Sequence, residues 1–275
     1  MNKEDYFIKQ FSASKAIGDD GAVIGSNVYS TDAFFEDVHF KREWMSLKQI
    51  ASKAMLVNIS DAIAMNAKPK FALLSVAIPK SFTQDELYEL AKGFKKTAKK
   101  FGIEIIGGDT IANDKLHISI TIISKTKKPI YRSGTMDGDL VCYTGDLGSS
   151  KRDLRALMDG KEINKKSKFI RPKLNPKFFY TIAPFVNSAL DISDGLFFEL
   201  ERLSKASDIG FDLFESLEKD IGCSGEEYEL LFTFNKKHEE TIKQIADKYG
   251  VKLNIFAEAN KDKEKYICPC KNHHF

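Results

Sequence analysis

Acidic residues recur at the ends of short apolar runs, and this recurrence constrains the fold more than any other feature of the chain. Residues 18–21 (Gly-Asp-Asp-Gly) carry two adjacent carboxylates between glycines that let the backbone bend and a ligand approach. Similar turns contain Asp32, Asp61 and Asp109, and residues 191–194 add two more acids. Each turn taken alone is most simply a solvated bend. Taken together, the turns indicate one shared site.

Convergence of these carboxylates would require a divalent cation. Two carboxylates about 4 Å apart repel by roughly 4 kcal/mol at an effective dielectric near 20. Carboxylate oxygens with Ser and Thr hydroxyls nearby favour Mg²⁺ over zinc, and Mg²⁺ commonly joins a few protein carboxylates to substrate phosphates. The sequence therefore predicts a metal–phosphate site, in which Asp19 and Asp20 are equivalent candidates on composition alone.

The usual nucleotide-binding motifs are absent from the sequence. It contains no P-loop, no dinucleotide fingerprint and no protein-kinase signature set. Phosphates would instead be held through metal and glycine-rich turns, for which residues 107–108, residues 145–148 and Arg132 are the candidates. Each has a simpler explanation, since a Gly-Gly pair is often only a turn and an arginine is often part of a surface ion pair.

Length and composition are typical of a two-domain globular protein. The chain has 275 residues, of which 43% are hydrophobic and 29% charged. We place the boundary in the turn-rich residues 129–138, which gives domains 1–135 and 136–275. A net charge of +3 is too small to favour nucleic acid or membrane binding. No apolar run approaches a bilayer span and the N-terminus lacks a secretory pattern, so we expect a cytoplasmic protein.

The four cysteines do not form a recognisable metal-binding pattern. Cys142 and Cys223 are isolated, and the spacing of Cys268 and Cys270 is not C-x-x-C. We expect free thiols in a reducing compartment. The alternative is a zinc site that uses Cys268, Cys270 and a histidine at position 273 or 274.

Two amphipathic helices are predicted in the first half. Residues 46–66 show a broad apolar stripe with Ser46 as the N-cap, and Asp61 lies on or beside that stripe. A carboxylate in that position needs a partner, a metal or solvent. Thr83 opens the second helix through a capping box, and that helix runs to about Lys100.

Strands and loops are predicted to lead into the acidic turns. Residues 103–106 are predicted to be a buried strand that runs into the 107–108 turn. The loop at residues 145–150 is predicted to present backbone N–H groups to an anion. Residues 226–234 are predicted to be a strand entered through Gly225.

A set of short motifs runs in order along nearly the whole chain. The motifs are Gly18-Asp-Asp-Gly-Ala22, Ser30-Thr31-Asp32, Glu36-x-Val38-His39-Phe40, Asn58-x-Ser60-Asp61-x-x-Ala64-Met65, Gly107-Gly-Asp-Thr110, Arg132-Ser133-Gly134, Thr144-Gly145, Arg171-Pro172, Asp191-x-Ser193-Asp194-Gly195-Leu196 and Gly225-Glu226-x-Tyr228-Glu229-Leu230. Each motif alone is weak, but the ordered set resembles that of the thiamine-monophosphate kinases. That family belongs to the aminoimidazole ribonucleotide synthetase-like superfamily.

The resemblance implies a fold and an activity. The fold would be α/β (α+β) with two domains, in which the N-terminal domains pair as a β-barrel dimer and the C-terminal domain is α/β. The activity would be direct, Mg²⁺-assisted transfer of a phosphoryl group from ATP to thiamine monophosphate, giving thiamine diphosphate. The alternatives are aminoimidazole ribonucleotide synthetase, selenophosphate synthetase, the hydrogenase-maturation protein and a non-catalytic Mg-nucleotide-binding protein. Selenophosphate synthetase is disfavoured because no cysteine precedes Cys142.

The resemblance also implies roles for individual residues. The implied magnesium set is Asp20, Ser30, Thr31, Asp32, Asp61, Asp109, Asp191 and Asp194. The implied ATP contacts are Gly108, Asp109, Arg132 and Ser193, and the implied thiamine-phosphate contacts are His39 and Glu226. No side chain is assigned as a general acid or base, because a phosphate acceptor is already ionised. The chain departs from the family pattern at Asn66, Ser224, Glu227 and the C-terminal residues 271–275.

Overall fold

A computed structural model describes residues 3–11 and 14–271, with the side chains of residues 4 and 5 left out. The α-helices are α1 (Lys3–Lys9), α2 (Leu47–Ala64), α3 (Gln84–Phe101), α4 (Ser149–Met158), α5 (Pro176–Ile182), α6 (Leu196–Ser207), α7 (Lys219–Gly222) and α8 (Glu239–Tyr249). The strands are β1 (Ala22–Ile24), β2 (Asn27–Phe35), β3 (Lys68–Pro79), β4 (Glu104–Asn113), β5 (His117–Lys125), β6 (Asp139–Thr144), β7 (Val186–Asp191), β8 (Gly210–Leu213), β9 (Leu230–Asn235) and β10 (Leu253–Asn260). Within the described residues, no helix is both long and apolar enough to cross a membrane.

The strands form two five-stranded sheets. The first has the order β1-β2-β5-β3-β4, with β3 and β4 parallel and the other pairs antiparallel. The second has the order β7-β9-β6-β10-β8 and is antiparallel throughout. The parallel pair requires a crossover, which α3 supplies. The predicted mixture of helices and strands is therefore confirmed, and the described residues contain no closed barrel.

Helix α2 joins the two sheets. It packs on β2, β3 and β5 of the first sheet and also contacts α3, α5 and β7. Its N-terminus has the predicted cap, because the Ser46 hydroxyl accepts the Gln49 amide and the Gln49 side chain accepts the Ser46 amide. Most residues from Ile50 to Ala64 are buried, so the helix is surrounded by protein rather than amphipathic.

The core continues from one sheet to the other. Phe34 and Ile120 of the first sheet belong to the same buried cluster as Cys142 and Phe232 of the second. All strands of the first sheet lie within residues 22–125 and all strands of the second lie within residues 139–260. The division at residues 135–136 remains a prediction, and the two halves share buried side chains.

Strand β4 differs from its prediction. It runs through residues 107–108, which were predicted to be a turn, and most of it is exposed because it pairs only with β3. Ile106 is 48% exposed and Ile111 is 59% exposed, so the prediction of a buried strand is wrong beyond Ile103. Gly108 has a positive φ, and a Cβ there would lie 1.7 Å from the Leu74 carbonyl oxygen, so only glycine fits against β3.

Strand β9 begins later than predicted. Residues 226–229 precede it as an irregular loop, in which Glu226 and Tyr228 both have positive φ values of 60° and 52°. The prediction of a strand from Glu226 is therefore wrong over these four residues, because left-handed backbone is incompatible with a strand. The loop instead directs alternate side chains toward different partners, as described below.

Candidate active site

A cavity of about 770 Å³ collects most of the predicted site residues. Its walls include Asp20, Thr31, Asp32, Asp61, Arg132, Asp191, Ser193, Asp194 and Glu226. These residues come from both halves of the chain. The acids other than Asp109 therefore converge, although they are far apart in sequence. The prediction of turns is wrong at three of the acids, because Asp32 lies within β2, Asp61 within α2 and Asp109 within β4.

The buried carboxylates destabilise one another's charged form. Burial raises the pKa of Asp32 to about 6, and repulsion from Asp20 and Glu226 adds to this effect. Asp32 also makes a side-chain hydrogen bond with Asp61, which requires a proton between them. Burial, followed by charge repulsion, raises the pKa of Asp61 and of Asp191 well above the usual range. Such a cluster is characteristic of a site that receives cations.

Two carboxylate oxygens in this cluster are buried without a hydrogen-bond partner among the described residues. They are Oδ2 of Asp20 and Oδ2 of Asp191. The Ser60 hydroxyl lies close enough to Asp191 to lower its pKa somewhat, but it makes no well-formed hydrogen bond. An unpartnered buried carboxylate oxygen costs free energy, and a bound cation would remove that cost.

Arg132 separates the roles of the two adjacent acids in residues 18–21. Its side chain binds Oδ1 of Asp20 from Nε at 3.0 Å and from Nη2 at 2.6 Å. Its backbone amide donates to Oδ1 of Asp19 at 2.7 Å. Asp19 therefore anchors the segment that carries Arg132, whereas Asp20 pairs with the guanidinium and keeps one oxygen free.

A second arginine was not identified from the sequence. Arg202 on α6 binds both oxygens of Glu199, at 2.8 and 2.7 Å, and binds Oδ2 of Asp194 at 2.5 Å. Glu199 is only 1% exposed and also accepts the Asp194 amide. The available signal was the spacing of Glu199 and Arg202, three residues apart on a helix that follows an acidic turn. The cavity also has further basic residues on its wall, namely Lys151, Arg155 and Lys205.

Glu226 faces the same cavity and has two partners of its own. Its Oε2 lies 2.5 Å from Nζ of Lys53, and its Oε1 accepts the hydroxyl of Tyr228 at 3.2 Å. The sequence also contained no indication of the role of Lys53, because a lysine on a helix is normally solvated.

Four predicted site residues do not line the cavity. Ser30 is buried and its hydroxyl donates to the Asn58 side chain at 3.1 Å. Nδ1 of His39 accepts the Phe35 amide at 3.0 Å. Gly108 and Asp109 lie on the exposed part of β4. Their assigned roles remain predictions.

The loop at residues 145–150 binds an anion that belongs to the protein itself. Oε1 of Glu227 accepts the Gly148 amide at 2.8 Å, the Ser150 amide at 3.2 Å and the Ser224 hydroxyl at 2.6 Å. Glu227 is fully buried and its other oxygen lies 3.2 Å from Lys168. The prediction that these amides bind an external phosphate is therefore wrong at Gly148 and Ser150.

Cys223 and Cys270 form a disulfide that attaches the C-terminal segment to the cavity wall. Their Cα atoms are 5.8 Å apart and the bond spans 47 residues of sequence. Cys142 is buried and Cys268 is half-buried, and both are free thiols. The prediction of four free thiols is wrong for the other two, because the fold brings together cysteines that are distant in sequence.

The described residues contain no preformed metal cage. Among the residues that the structure describes, no three His, Cys, Asp or Glu side chains are arranged as a metal-binding set. The alternative zinc site loses Cys270 to the disulfide, and its histidine at position 273 or 274 lies outside the described residues. In the acidic cluster, Asp20 and Asp194 are engaged by arginines.

Reduction of the disulfide is expected to lower the melting temperature. Cross-links of this span typically contribute about 2–4 kcal/mol, so we expect a decrease of roughly 4 °C or more. Thermal unfolding with and without a phosphine reductant would measure it. Cys270→Ser should melt like the reduced protein and not respond to reductant, whereas Cys142→Ser should keep the response. An unchanged melting temperature after thiol titration has verified reduction would contradict the expectation.

Comparisons with known proteins identify relatives. Residues 18–126 match the family model described as AIR synthase related protein, N-terminal domain. The thiamine-monophosphate kinase of Bacillus subtilis (strain 168) is 32% identical over 270 residues, covering 86% of this chain and 82% of the relative. The structure of AaThiL complexed with AMPPCP and TMP has a TM-score of 0.84 at 25% identity and covers 100% of this chain and 99% of that one.

A likeness to hydrogenase maturation protein HypE in complex with ATP concerns the fold alone. Its TM-score is 0.71 at 14% sequence identity, covering 94% of this chain and 87% of that one. The Bacillus relative, in contrast, matches in sequence over most of both chains. The chain therefore belongs to the thiamine-monophosphate kinase family.

Proposed function

We propose that this chain transfers the γ-phosphoryl group of ATP to the phosphate of thiamine monophosphate, giving thiamine diphosphate. The observation that carries the proposal is the single cavity that gathers acidic and basic side chains from both halves of a chain of this family. The AaThiL structure, complexed with AMPPCP and TMP, supports the same pair of ligands here.

The transfer needs positioning and charge neutralisation rather than proton abstraction. The accepting phosphate oxygen is already ionised, so no general base is required. Arg132 and Arg202 present guanidinium groups to the cavity, and each is held by a carboxylate at one side. Arg202 is held by a second carboxylate as well, that of Glu199. The two arginines would bind the phosphate oxygens and stabilise negative charge as the phosphoryl group moves.

We propose that Mg²⁺ binds at the acidic cluster. The residues fit this ion for two reasons. Asp20 and Asp191 each have a buried oxygen that has no hydrogen-bond partner in the described part of the chain, and the carboxylates of the cluster repel one another. Asp32, Asp61 and Asp194, with the hydroxyl of Thr31, would complete the oxygen ligands. When bound, Mg²⁺ would neutralise phosphate charge and orient the two substrates.

The remaining roles are also proposals. Ser193 and Arg132 would contact ATP from inside the cavity. Glu226 would contact the cationic thiamine moiety, for which a carboxylate is a suitable partner. Asp109 and His39 would take part only if a neighbouring element or a substrate-induced movement brings them close to the ligands.

We propose that the protein is a homodimer that pairs through the first sheet. Strand β4 leaves one edge unpaired and exposes Ile106 and Ile111, and an apolar edge strand of this kind is normally covered. Pairing at β4 would bring Gly108 and Asp109 next to a second copy. A β-barrel dimer, as the family resemblance implies, would close this edge. Because ATP is the phosphate donor, we also propose a cytoplasmic location.

A substrate panel tests the proposed function. Purified protein with Mg-ATP should convert thiamine monophosphate to the diphosphate, and it should not phosphorylate thiamine or act on formylglycinamidine ribonucleotide. Chromatography would measure the thiamine diphosphate formed. Light scattering would measure the mass of the protein in solution and so test the proposed dimer. A folded protein that makes no thiamine diphosphate at saturating Mg²⁺ would refute the activity, and a monomeric mass would refute the dimer.

A further inference from the structure

Lys53 is a fully buried cation behind the cavity wall. Its side chain is 0% exposed, and it sits in the middle of α2 rather than at a helix end from which it could reach solvent. It does not line the cavity itself. A buried ammonium without a compensating partner is very unfavourable, so the groups that contact Lys53 indicate its role.

The contacts of Lys53 lead to two residues that do line the cavity. Nζ lies 2.5 Å from Oε2 of Glu226, and it also lies 3.8 Å from the centre of the Phe169 ring. The ring of Phe34 lies on another side, with its centre 5.6 Å away. The ammonium is therefore enclosed by one carboxylate and two aromatic faces, which is a favourable setting for a desolvated cation.

Glu226 is itself held in an unusual conformation. Its φ of 60° is unfavourable for a residue with a side chain, and its amide donates to the Ser193 carbonyl at 2.7 Å. Its carbonyl accepts the Ser150 hydroxyl at 2.8 Å. With Lys53 at one carboxylate oxygen and Tyr228 at the other, the whole residue is fixed from the backbone to the tip.

We propose that Lys53 is a positioning residue for substrate selection: it fixes the Glu226 carboxylate, so that this group meets the cationic thiamine moiety in one orientation. The inference rests on the proposed function, in which Glu226 contacts thiamine monophosphate. Lys53 touches neither substrate, so its effect passes through Glu226. Its loss would release the carboxylate and weaken thiamine-phosphate binding more than ATP binding.

Lys53→Met tests the proposal, because methionine keeps an unbranched apolar chain, one heavy atom shorter than that of lysine, and removes the charge. We expect the KM for thiamine monophosphate to rise by about 10-fold or more, since removal of one partner of a desolvated ion pair leaves the other charge without compensation. The KM for ATP should stay within about 2-fold, and kcat should change much less than the thiamine-phosphate KM. Lys92→Met is the matched control, because it removes an exposed lysine from a similar ion pair and should change nothing.

A double-mutant cycle with Glu226→Gln separates positioning from a general structural role. If Lys53 acts through Glu226, Lys53→Met should add almost nothing in the Glu226→Gln background. Additive effects, or a rise in both KM values together, would overturn the proposal. If Lys53→Met does not fold, Phe169→Leu provides a second test, because it removes the aromatic face below the ammonium but keeps both charges. It should raise the same KM in the same direction, and an unchanged value would overturn the proposal.

Calorimetric binding of thiamine monophosphate keeps the two proposals distinguishable. A wild-type protein that makes no thiamine diphosphate would refute the proposed activity. The affinity of wild type, both single variants and the double variant for thiamine monophosphate would still measure the coupling between Lys53 and Glu226. Equal affinities of wild type and Lys53→Met would refute the positioning role, whether or not the wild type turns over.

Discussion

Asp61→Asn is expected to abolish turnover and, at the same time, to raise the melting temperature of the metal-free protein. Asp61 lies where burial and the charges of Asp32, Asp191 and Asp20 all oppose its ionised form. The folded protein therefore has to keep Asp61 from ionising, whereas an asparagine needs no proton to stay neutral, so the substitution should raise the melting temperature by several degrees. Loss of a proposed metal ligand should lower kcat by about 100-fold or more.

The pH dependence of stability provides a second measure of the same cluster. The pKa of Asp32, about 6, lies above the unfolded value, so its protonated form is favoured by folding. The resulting stability is fully present below the unfolded pKa, near 3.8, and is lost as the pH rises through the folded value. Metal-free protein should therefore melt at a higher temperature at pH 5.5 than at pH 8. In Asp61→Asn this difference should shrink.

The control for this experiment is Asp114→Asn, which changes an exposed aspartate away from the cavity. It should leave both turnover and melting temperature within experimental error. Asp61→Asn with near-normal turnover would remove Asp61 from the proposed metal site. A variant that melts below the wild type without metal would show that repulsion at this position is not the dominant effect.

Arg202→Met is expected to cause a large loss of folding stability. It leaves Glu199 buried at 1% exposure without its bidentate partner, and breaking a buried ion pair in this way typically costs about 3–5 kcal/mol. It also releases the Asp194 carboxylate. We expect the melting temperature to fall by roughly 6 °C or more, as measured by calorimetry.

The decrease in melting temperature caused by Arg202→Met should depend on pH. Burial already raises the pKa of Glu199, and loss of the arginine would raise it further. A carboxyl group with a raised pKa contributes stability at low pH and loses that contribution as the pH rises through the folded value. The difference from wild type should therefore be largest near pH 8 and should narrow toward pH 5. Arg152→Met, on the exposed side of α4, is the control and should show neither effect.

The acidic residues of the site were predictable from the sequence because their motifs are local. A carboxylate between glycines or after an apolar run can be recognised at sight, and the cavity contains Asp20, Asp32, Asp61, Asp191 and Asp194 as expected. Helix α2 was predictable for a similar reason, since its cap and its apolar residues lie within one short segment. Both the acidic motifs and helix α2 can therefore be recognised from neighbouring residues alone.

The cations and the disulfide were not predictable because each depends on a distant partner. Nothing in the sequence near Lys53 indicates that Glu226 will neutralise it, and the same is true of Cys223 and Cys270. The prediction of an external anion at the loop of residues 145–150 was wrong for the same reason. Two amides of this loop already bind Glu227, which comes from another part of the chain. The prediction that the start of β4 is buried was wrong because burial of a strand depends on whether it lies at the edge of its sheet, and β4 is an edge strand.

Helix α2 also sets a length. Lys53 and Asp61 are eight residues apart on it, which at about 1.5 Å per residue separates them by about 12 Å along the axis. One end of this interval holds the carboxylate proposed for thiamine and the other holds a carboxylate proposed for metal. The helix thus fixes the backbone positions of these two residues relative to each other. A one-residue insertion between the two positions would rotate one of them by about 100° around the helix axis, so the partner of Glu226 and the proposed metal ligand could no longer keep their present orientations together.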